Sequence, residues 1–106
     1  MPVAVTVNHQ TKPGLRDTVR ATWESWMPAV VSANPGHLAY WYCFDRTDPQ
    51  VIRAFQVYRD EAAAKAFLEE EAYAGYVAAV EHMLEGPPEV TMADVIWSKE
   101  MSHAGR

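Results

Sequence analysis

The sequence predicts an α+β, ferredoxin-like fold, in which helices cover one face of a four-stranded antiparallel sheet. Three observations predict it. The chain begins with alternating β-branched residues, which are typical of a strand, and apolar residues at helical spacing follow. A polar turn, too short for a crossover, then joins the two middle strands as a hairpin. The resulting order of strand, helix, strand, strand, helix, strand consists of two βαβ halves joined by that hairpin.

Local chemistry delimits the first strand and the first helix. Val3, Val5 and Val7 alternate with smaller or polar residues, and the Pro13-Gly14 pair breaks the strand. An apolar series at helical spacing then predicts a helix, which a turn at residues 34–36 (NPG) ends. That series is Leu15, Val19, Trp23, Trp26 and Val30.

The second half of the chain repeats this pattern. Residues 37–45 are dense in aromatic side chains and predict a strand, and residues 51–58 predict its returning partner. Asp60 is placed to cap a helical stretch over residues 62–84, which we expect in two pieces. The remaining segments are a last strand over residues 89–97 and a loose tail over residues 102–106.

Composition and charge exclude several classes of partner. The 106 residues carry 9 Lys and Arg against 14 Asp and Glu, a formal net charge of −5. Nucleic acid and anionic membrane surfaces need basic patches and are therefore disfavoured. The length suits one domain, expected over residues 1–106 with its core at about residues 3–98. Cys43 is the only cysteine and no signal-type segment is visible, so we expect a cytoplasmic protein.

Both faces of the predicted sheet carry apolar residues. Helices cover only one face of such a sheet, so the other face needs a second cover. We therefore predict a homodimer in which two sheets pack face to face. Strict alternation assigns four aromatic residues to the dimer face: Tyr40, Tyr42, Phe44 and Phe55.

Four short motifs lie at the junctions of these elements. They are Lys12-Pro13-Gly14, residues 34–40 (NPGHLAY), residues 56–63 (QVYRDEAA) and residues 84–89 (LEGPPE). Together they resemble the antibiotic biosynthesis monooxygenase family, and the resemblance extends over most of the chain. It implies a dimeric α+β barrel. Some members of that family oxidise polycyclic phenols or quinols with O₂ without a metal or flavin, so the resemblance implies no cofactor.

The resemblance also implies a ligand site between the helices and the sheet. By that pattern, seven sheet residues face the ligand: Asn8, His37, Trp41, Cys43, Ala54, Gln56 and Tyr58. The expected catalytic groups are His37, Asn8, Tyr58 and Gln56. The residues expected to contact the substrate are Trp41, Cys43, Phe67, Tyr76 and Met27.

Each of these residues also has a purely structural interpretation. His37 is the natural base for a phenol proton at neutral pH, or an exposed residue at the start of a strand. Asn8 is an amide that holds a substrate oxygen, or a polar strand end. Trp41 stacks on a flat substrate, or packs in the core. Haem-degrading members of the family carry Trp at the position of Phe67 and an iron-ligating His at that of Tyr76, so haem chemistry is not expected.

The resemblance therefore implies a cofactor-independent monooxygenase acting on an electron-rich aromatic molecule, such as a quinol or an anthrone. Two alternatives remain open. One is an isomerase or cyclase that acts on a small enolisable metabolite without O₂, and the other is a ligand-binding barrel without catalysis. No metal site is expected, because the histidines lack ligand-type spacing. They are His9, His37, His82 and His103.

Overall fold

The computed structural model describes residues 1–99 and has the predicted order of elements, which confirms the ferredoxin-like fold. Four antiparallel strands form one sheet in the order β2-β3-β1-β4. The strands are β1 (Val3–Gln10), β2 (His37–Phe44), β3 (Val51–Tyr58) and β4 (Glu89–Asp94). The helices are α1 (Arg16–Trp26), α2 (Pro28–Ala33), α3 (Glu61–Leu68) and α4 (Glu71–Val80), with a short 3₁₀ turn at Glu81–Met83. The tail expected at residues 102–106 lies outside the described residues.

The helical stretches are divided at points that the sequence explains. The first is interrupted at Met27, because Pro28 begins α2 and has no N–H to continue the α1 hydrogen-bond ladder. The second divides at Glu69 and Glu70, as expected. Asp60 caps α3 by accepting a hydrogen bond from the Ala63 N–H at 2.8 Å, which confirms the predicted cap. No helix within residues 1–99 is long and apolar enough to span a membrane.

The helices cover the face of the sheet that carries the valines of β1. The buried residues of this face alternate along β1 and β3, and Val5 and Tyr58 are fully enclosed. The full set is Val3, Val5, Val7 and His9 from β1, with Ile52, Ala54, Gln56 and Tyr58 from β3. This face is the floor of the hydrophobic core.

A β-bulge at Leu38 changes which side chains of β2 face the helices. His37 pairs with Tyr58, but the next pair along is Ala39 with Val57, so Leu38 is the extra residue. Beyond the bulge, every side chain lies on the face opposite to that expected from strict alternation. The predicted placement of three residues on the dimer face is therefore wrong, because they face the helices: Tyr40, Tyr42 and Phe44.

The sheet face opposite the helices, here called the open face, carries the other alternate residues. Its rows follow from the strand register: Ala39, Val57 and Ala4; Trp41, Phe55 and Thr6; Cys43, Arg53 and Asn8. Trp41 and Phe55 are 60% and 40% exposed. Arg53 forms an ion pair with Asp45 at the end of β2, with a distance of 3.0 Å between Nε and Oδ1.

Two side chains attach α1 to its surroundings. Arg16 directs Nη1 at the carbonyl oxygens of Asp45, Asp48 and Val51, and its guanidinium lies 4.0 Å from the centre of the Phe44 ring. It therefore fastens the β2–β3 hairpin to the helix layer. At the other end of α1, the Trp26 ring rests on Gly75 of α4.

Candidate functional site

A small, largely enclosed cavity, here called the chamber, lies between the sheet and the helices. Its volume is about 10 Å³, room for roughly one water molecule. The sheet contributes Val7, His9, Tyr40, Tyr42, Ile52, Ala54 and Gln56. The helices and their junctions contribute Trp23, Met27, Phe67, Tyr73 and Tyr76. Half of the lining residues are Phe, Trp or Tyr, so the chamber is an aromatic site bounded by a few polar atoms.

The register explains where the chamber lies. Its floor centres on the row in which Tyr42, Ala54 and Val7 stand side by side on β2, β3 and β1. Ala54 is the smallest of the three, so the helices do not fill the space above it completely. Met27 and Phe67 close the top from positions next to the two helix breaks.

A hydrogen-bonded pair forms one end of the chamber. His9 Nε2 lies 2.8 Å from the Tyr76 hydroxyl oxygen, and the two side chains are 5% and 2% exposed. Burial lowers the pKa of His9 from 6.5 to about 4, so the ring is neutral at physiological pH. Its other ring nitrogen, Nδ1, is buried without a hydrogen-bond partner among residues 1–99. The pair therefore brings a neutral imidazole with one unsatisfied nitrogen to an aromatic chamber.

A second polar cluster lies toward the opposite end. His37 Nε2 is 3.0 Å from Gln56 Oε1, and His37 Nδ1 is 3.0 Å from Asn34 Nδ2. These partners assign the tautomer, in which Nε2–H donates to Gln56 and Nδ1 accepts from Asn34. Tyr58 donates a second hydrogen bond to the same Gln56 oxygen at 2.5 Å. Burial lowers the pKa of His37, so this ring is also neutral near pH 7.

Aromatic contacts hold both clusters in place. The His37 ring lies 4.3 Å from the ring of Tyr58 and meets the edge of Phe67 at 4.4 Å. Trp23 stacks on Tyr42 at 4.2 Å and donates its indole N–H to the Tyr40 hydroxyl. The chamber walls are thus ordered by interlocked rings.

The chamber phenols stay protonated across the physiological range. Burial raises the pKa of Tyr40 to about 12 and raises those of Tyr42 and Tyr76 further. The Tyr42 hydroxyl interacts electrostatically with Tyr76 but forms no hydrogen bond of ordinary geometry within residues 1–99. These groups therefore serve as neutral donors and acceptors around the chamber.

The structure divides the nine residues that the sequence predicted to be catalytic or to contact the substrate. Six of them lie on the helix side of the sheet or among the helices: His37, Gln56, Tyr58, Met27, Phe67 and Tyr76. The predicted placement of the other three is wrong, because Asn8, Trp41 and Cys43 lie on the open face. For Trp41 and Cys43 the reason is the Leu38 bulge. Asn8 lies there because the helices cover the valine side of β1.

Sequence reasoning missed His9. It has the same parity as Val3, Val5 and Val7, and that signal was enough to place it on their side of β1. Its polar neighbours instead favoured an exposed strand end. Trp23 was assigned to the core, and Tyr40 and Tyr42 to the dimer face; the bulge is what brings the two tyrosines to the chamber.

Two open grooves border the chamber. One has a volume of about 500 Å³ and lies between α4 and residues 84–88, with Tyr73 in its wall. The other, about 520 Å³, lies beside the ends of β1 and β4, with His9 in its wall and charged residues such as Glu85 and Arg53 along it. Residues 1–99 contain no group of three or more His, Cys, Asp or Glu side chains arranged to hold a metal ion.

Comparisons with known proteins agree with this architecture. The profile of the family described as antibiotic biosynthesis monooxygenase matches residues 2–79. Rv0793 from Mycobacterium tuberculosis has a TM-score of 0.81 and 24% identity, covering 93% of this chain and 99% of that chain. NE2512, a protein of unknown function from Nitrosomonas europaea, has a TM-score of 0.80 and 23% identity, with 92% of each chain covered. At these identities the structural likeness concerns the fold alone. No curated protein sequence matches this chain.

Proposed function

The chain belongs to the antibiotic biosynthesis monooxygenase family, and we propose that it is a cofactor-independent monooxygenase acting in the chamber. Its substrate would be an electron-rich aromatic molecule of the quinol or anthrone class, oxidised by O₂. One observation carries this proposal: the neutral His9 ring, fixed by Tyr76, lines an aromatic chamber and has one buried nitrogen without a hydrogen-bond partner among residues 1–99.

His9 is suited to remove a proton from such a substrate. This role requires the tautomer in which Nε2–H donates to the Tyr76 hydroxyl oxygen and Nδ1 keeps the lone pair, and the bond to Tyr76 fixes the orientation of the ring. Burial alone makes the imidazole a weak base, as the lowered pKa indicates. A substrate anion formed beside it would offset this, because an adjacent negative charge stabilises the imidazolium. The base therefore becomes effective only when a substrate occupies the chamber.

The chemistry balances without an added reductant. His9 takes the proton from the acidic C–H of an anthrone, and the resulting carbanion gives one electron to O₂. The substrate radical and superoxide combine to form a C–O bond, and the imidazolium returns its proton to the peroxide. Loss of water then leaves a carbonyl, so anthrone and O₂ give quinone and water. The protein contributes deprotonation, orientation and exclusion of bulk water.

The second polar cluster has a supporting role in this proposal. His37 was expected to be the base, but both its nitrogens are engaged by Asn34 and Gln56. We therefore assign His37 and Tyr58 to positioning Gln56, which lines the chamber. The Gln56 amide would hold a substrate oxygen about 10 Å or more from His9, since the two lie several residues apart along the sheet. A flat molecule of two or three rings spans such a distance, and it enters the chamber, which is about 10 Å³ in this structure, when the surrounding side chains move.

Oxygen uptake with 1,8-dihydroxyanthrone and a naphthohydroquinone tests the proposal. Wild-type protein should consume O₂ faster than heat-denatured protein. His9→Ala should lower the catalysed rate about 100-fold, the usual size of a general-base contribution. His82→Ala is the matched control, because His82 is exposed and does not line the chamber, and it should leave the rate unchanged. Equal uptake by native and denatured protein would rule the monooxygenase out.

Solvent deuterium exchange and binding measurements on the same proteins separate the remaining alternatives. An isomerase would exchange the acidic substrate proton with deuterated solvent without consuming O₂, and His9→Ala would abolish the exchange. A binding barrel would bind the aromatic molecule with neither reaction. Both alternatives use the chamber, so the readout that distinguishes them is the fate of O₂ and of the substrate proton.

We further propose that two copies of the chain associate through their open faces. Trp41 and Phe55 stand side by side in the middle of this face, exposed by 60% and 40%. Ala39 and Val57 extend the same apolar strip, and the Arg53 charge on it is already paired with Asp45. Exposed apolar patches of this kind are typical of protein interfaces, and a second open face is the complementary cover.

Sedimentation or light scattering tests this association. Wild-type protein should have twice the 11.9 kDa chain mass. Trp41→Glu should shift the equilibrium toward the single-chain mass, because a carboxylate in an apolar interface is strongly disfavoured. Ala21→Glu adds the same charge at an exposed site on α1 and should remain dimeric. A wild-type protein of single-chain mass at micromolar concentration contradicts the proposal.

A further inference from the structure

The chamber and the outer groove beside α4 share one wall. Tyr73 lines both cavities, and among the lining residues described it is the one common to the two. The chamber has a volume of about 10 Å³ and the groove about 500 Å³. A site of several hundred cubic ångströms accommodates a molecule of two or three rings, whereas the chamber alone does not. Rotation of the Tyr73 side chain would join the two spaces.

Tyr73 is less firmly held than the other rings around the chamber. Trp23 is fixed by stacking on Tyr42 and by its hydrogen bond to Tyr40, and Tyr76 is fixed by His9. The Tyr73 ring has one tilted contact, with Phe67 at 6.0 Å, and its hydroxyl forms no hydrogen bond found within residues 1–99. Movement of this ring therefore breaks fewer interactions than movement of its neighbours.

The backbone beneath Tyr73 is also easier to open. Tyr73 lies in the first turn of α4, and the capping residue Glu70 makes no side-chain hydrogen bond to that turn. The first N–H groups of a helix have no partner within the helix, so an uncapped first turn opens more easily than a capped one. At the start of α3, by contrast, Asp60 supplies such a cap.

From these three observations we propose that the groove is the entrance by which a flat aromatic ligand reaches the chamber, and that Tyr73 is its gate. This rests on the proposed function only in taking the chamber as the ligand site. The groove suits such a ligand because aliphatic and proline side chains make up most of its walls. They include Leu68, Val77, Leu84, Pro87 and Pro88. Polar and charged residues make up most of the lining of the other groove, which suits it less.

The test is the kinetics of 2-naphthol binding, followed by stopped-flow fluorescence. Ala78 is exposed and lines the groove but not the chamber, so Ala78→Phe should slow association and dissociation alike by about threefold or more, with Kd unchanged. Tyr73→Ala should accelerate both steps by a similar factor. Ala21→Phe adds the same ring at an exposed site on α1 and should alter neither step.

A further variant locates the probe. Ala54→Val adds two methyl groups to the chamber floor and should weaken 2-naphthol binding about tenfold or more if the probe reaches the chamber. The entrance proposal fails if Ala54→Val weakens binding but neither Ala78→Phe nor Tyr73→Ala changes the association and dissociation rates. It also fails if binding is absent, or is insensitive to Ala54→Val. If these rate changes occur but no O₂ is consumed, the entrance stands and the monooxygenase proposal fails.

Discussion

The imidazole of His9 and the phenol of Tyr76 meet at 2.8 Å in the interior, although 67 positions separate them in the chain. One stands on the central strand β1 and the other on α4, so the bond joins the sheet to the helix layer. Both side chains are almost completely buried. Protonation of His9 is therefore coupled to unfolding, because a charged ring must either be exposed to solvent or remain as a buried cation.

Stability should fall in mild acid because of His9. The folded pKa is about 4 and the unfolded value 6.5, so the unfolded chain binds more protons in the interval between them. The stabilisation is complete above the unfolded pKa and is lost as pH falls toward the folded pKa. Linkage gives a loss of about 2 kcal/mol in unfolding free energy from His9 between about pH 7.5 and pH 5, measurable by urea denaturation, and His37, whose pKa burial also lowers, adds to it with the same sign.

The matched comparison for this prediction is His9→Gln, which keeps a polar group near Tyr76 but does not titrate. Its unfolding free energy should be lower than the wild-type value at about pH 7.5. Between about pH 7.5 and pH 5, however, it should fall by about 2 kcal/mol less than that of the wild type. Hydrogen bonds from backbone N–H groups lower the pKa values of Asp45 and Asp60. These two residues therefore lose their contributions to stability below the pH interval used here. Equal pH dependence in the two proteins would refute the assignment to His9.

Removing the phenol oxygen should cost more at position 76 than at position 73. Tyr76→Phe leaves both nitrogens of the buried His9 without partners, which should lower the unfolding free energy by about 1–3 kcal/mol. Tyr73→Phe removes a hydroxyl with no hydrogen bond found within residues 1–99 and should change stability by less than about 0.5 kcal/mol. Thermal or urea unfolding of both variants measures the difference. Equal effects would mean that the His9 bond contributes nothing net.

Local patterns were sufficient to predict most of the fold. The bounds of β3 and the cap at Asp60 follow from alternation and from side-chain chemistry within a few residues, and both are confirmed. The division of the first helix at Met27 was missed, although Pro28 signals it. The last strand ends at Asp94 rather than at residue 97. Strand ends depend on the pairing partner, and β4 pairs only with β1, at the sheet edge.

The candidate site was harder to predict, because one extra residue in β2 changes the sheet face on which every later side chain of that strand lies. Nothing in residues 37–40 (HLAY) marks Leu38 as a bulge, since the bulge exists only in the pairing of β2 with β3. The bulge places Tyr40 and Tyr42, instead of Trp41, on the helix side of the sheet. His9 was missed for another reason. Its parity predicts burial, but the partner that satisfies it lies on α4, beyond the reach of any local pattern.

The chamber should become a measurable cavity when Phe67 is truncated. Phe67 is buried in its wall, so Phe67→Ala should cost about 3–5 kcal/mol. Benzene should restore part of this loss by binding the enlarged space, which thermal unfolding with and without benzene detects. Val19→Ala is the control, because Val19 is fully buried but does not line the chamber. If benzene raises the Tm of the two variants equally, Phe67 does not border a space that can be enlarged in this way.

The contact between α1 and α4 predicts that Gly75→Ala destabilises the protein when Trp26 is present and stabilises it when Trp26 is removed. A Cβ atom at Gly75 would lie 2.6 Å from Cζ3 of Trp26, too close for either to remain in place. Gly75→Ala should therefore cost about 1 kcal/mol, because overpacking outweighs the gain in helix propensity. In a Trp26→Ala background the clash is gone, and the same substitution should stabilise the protein by about 0.5–1 kcal/mol. Urea unfolding of the four proteins gives a coupling energy, which is near zero if Trp26, being 42% exposed, simply turns away into solvent.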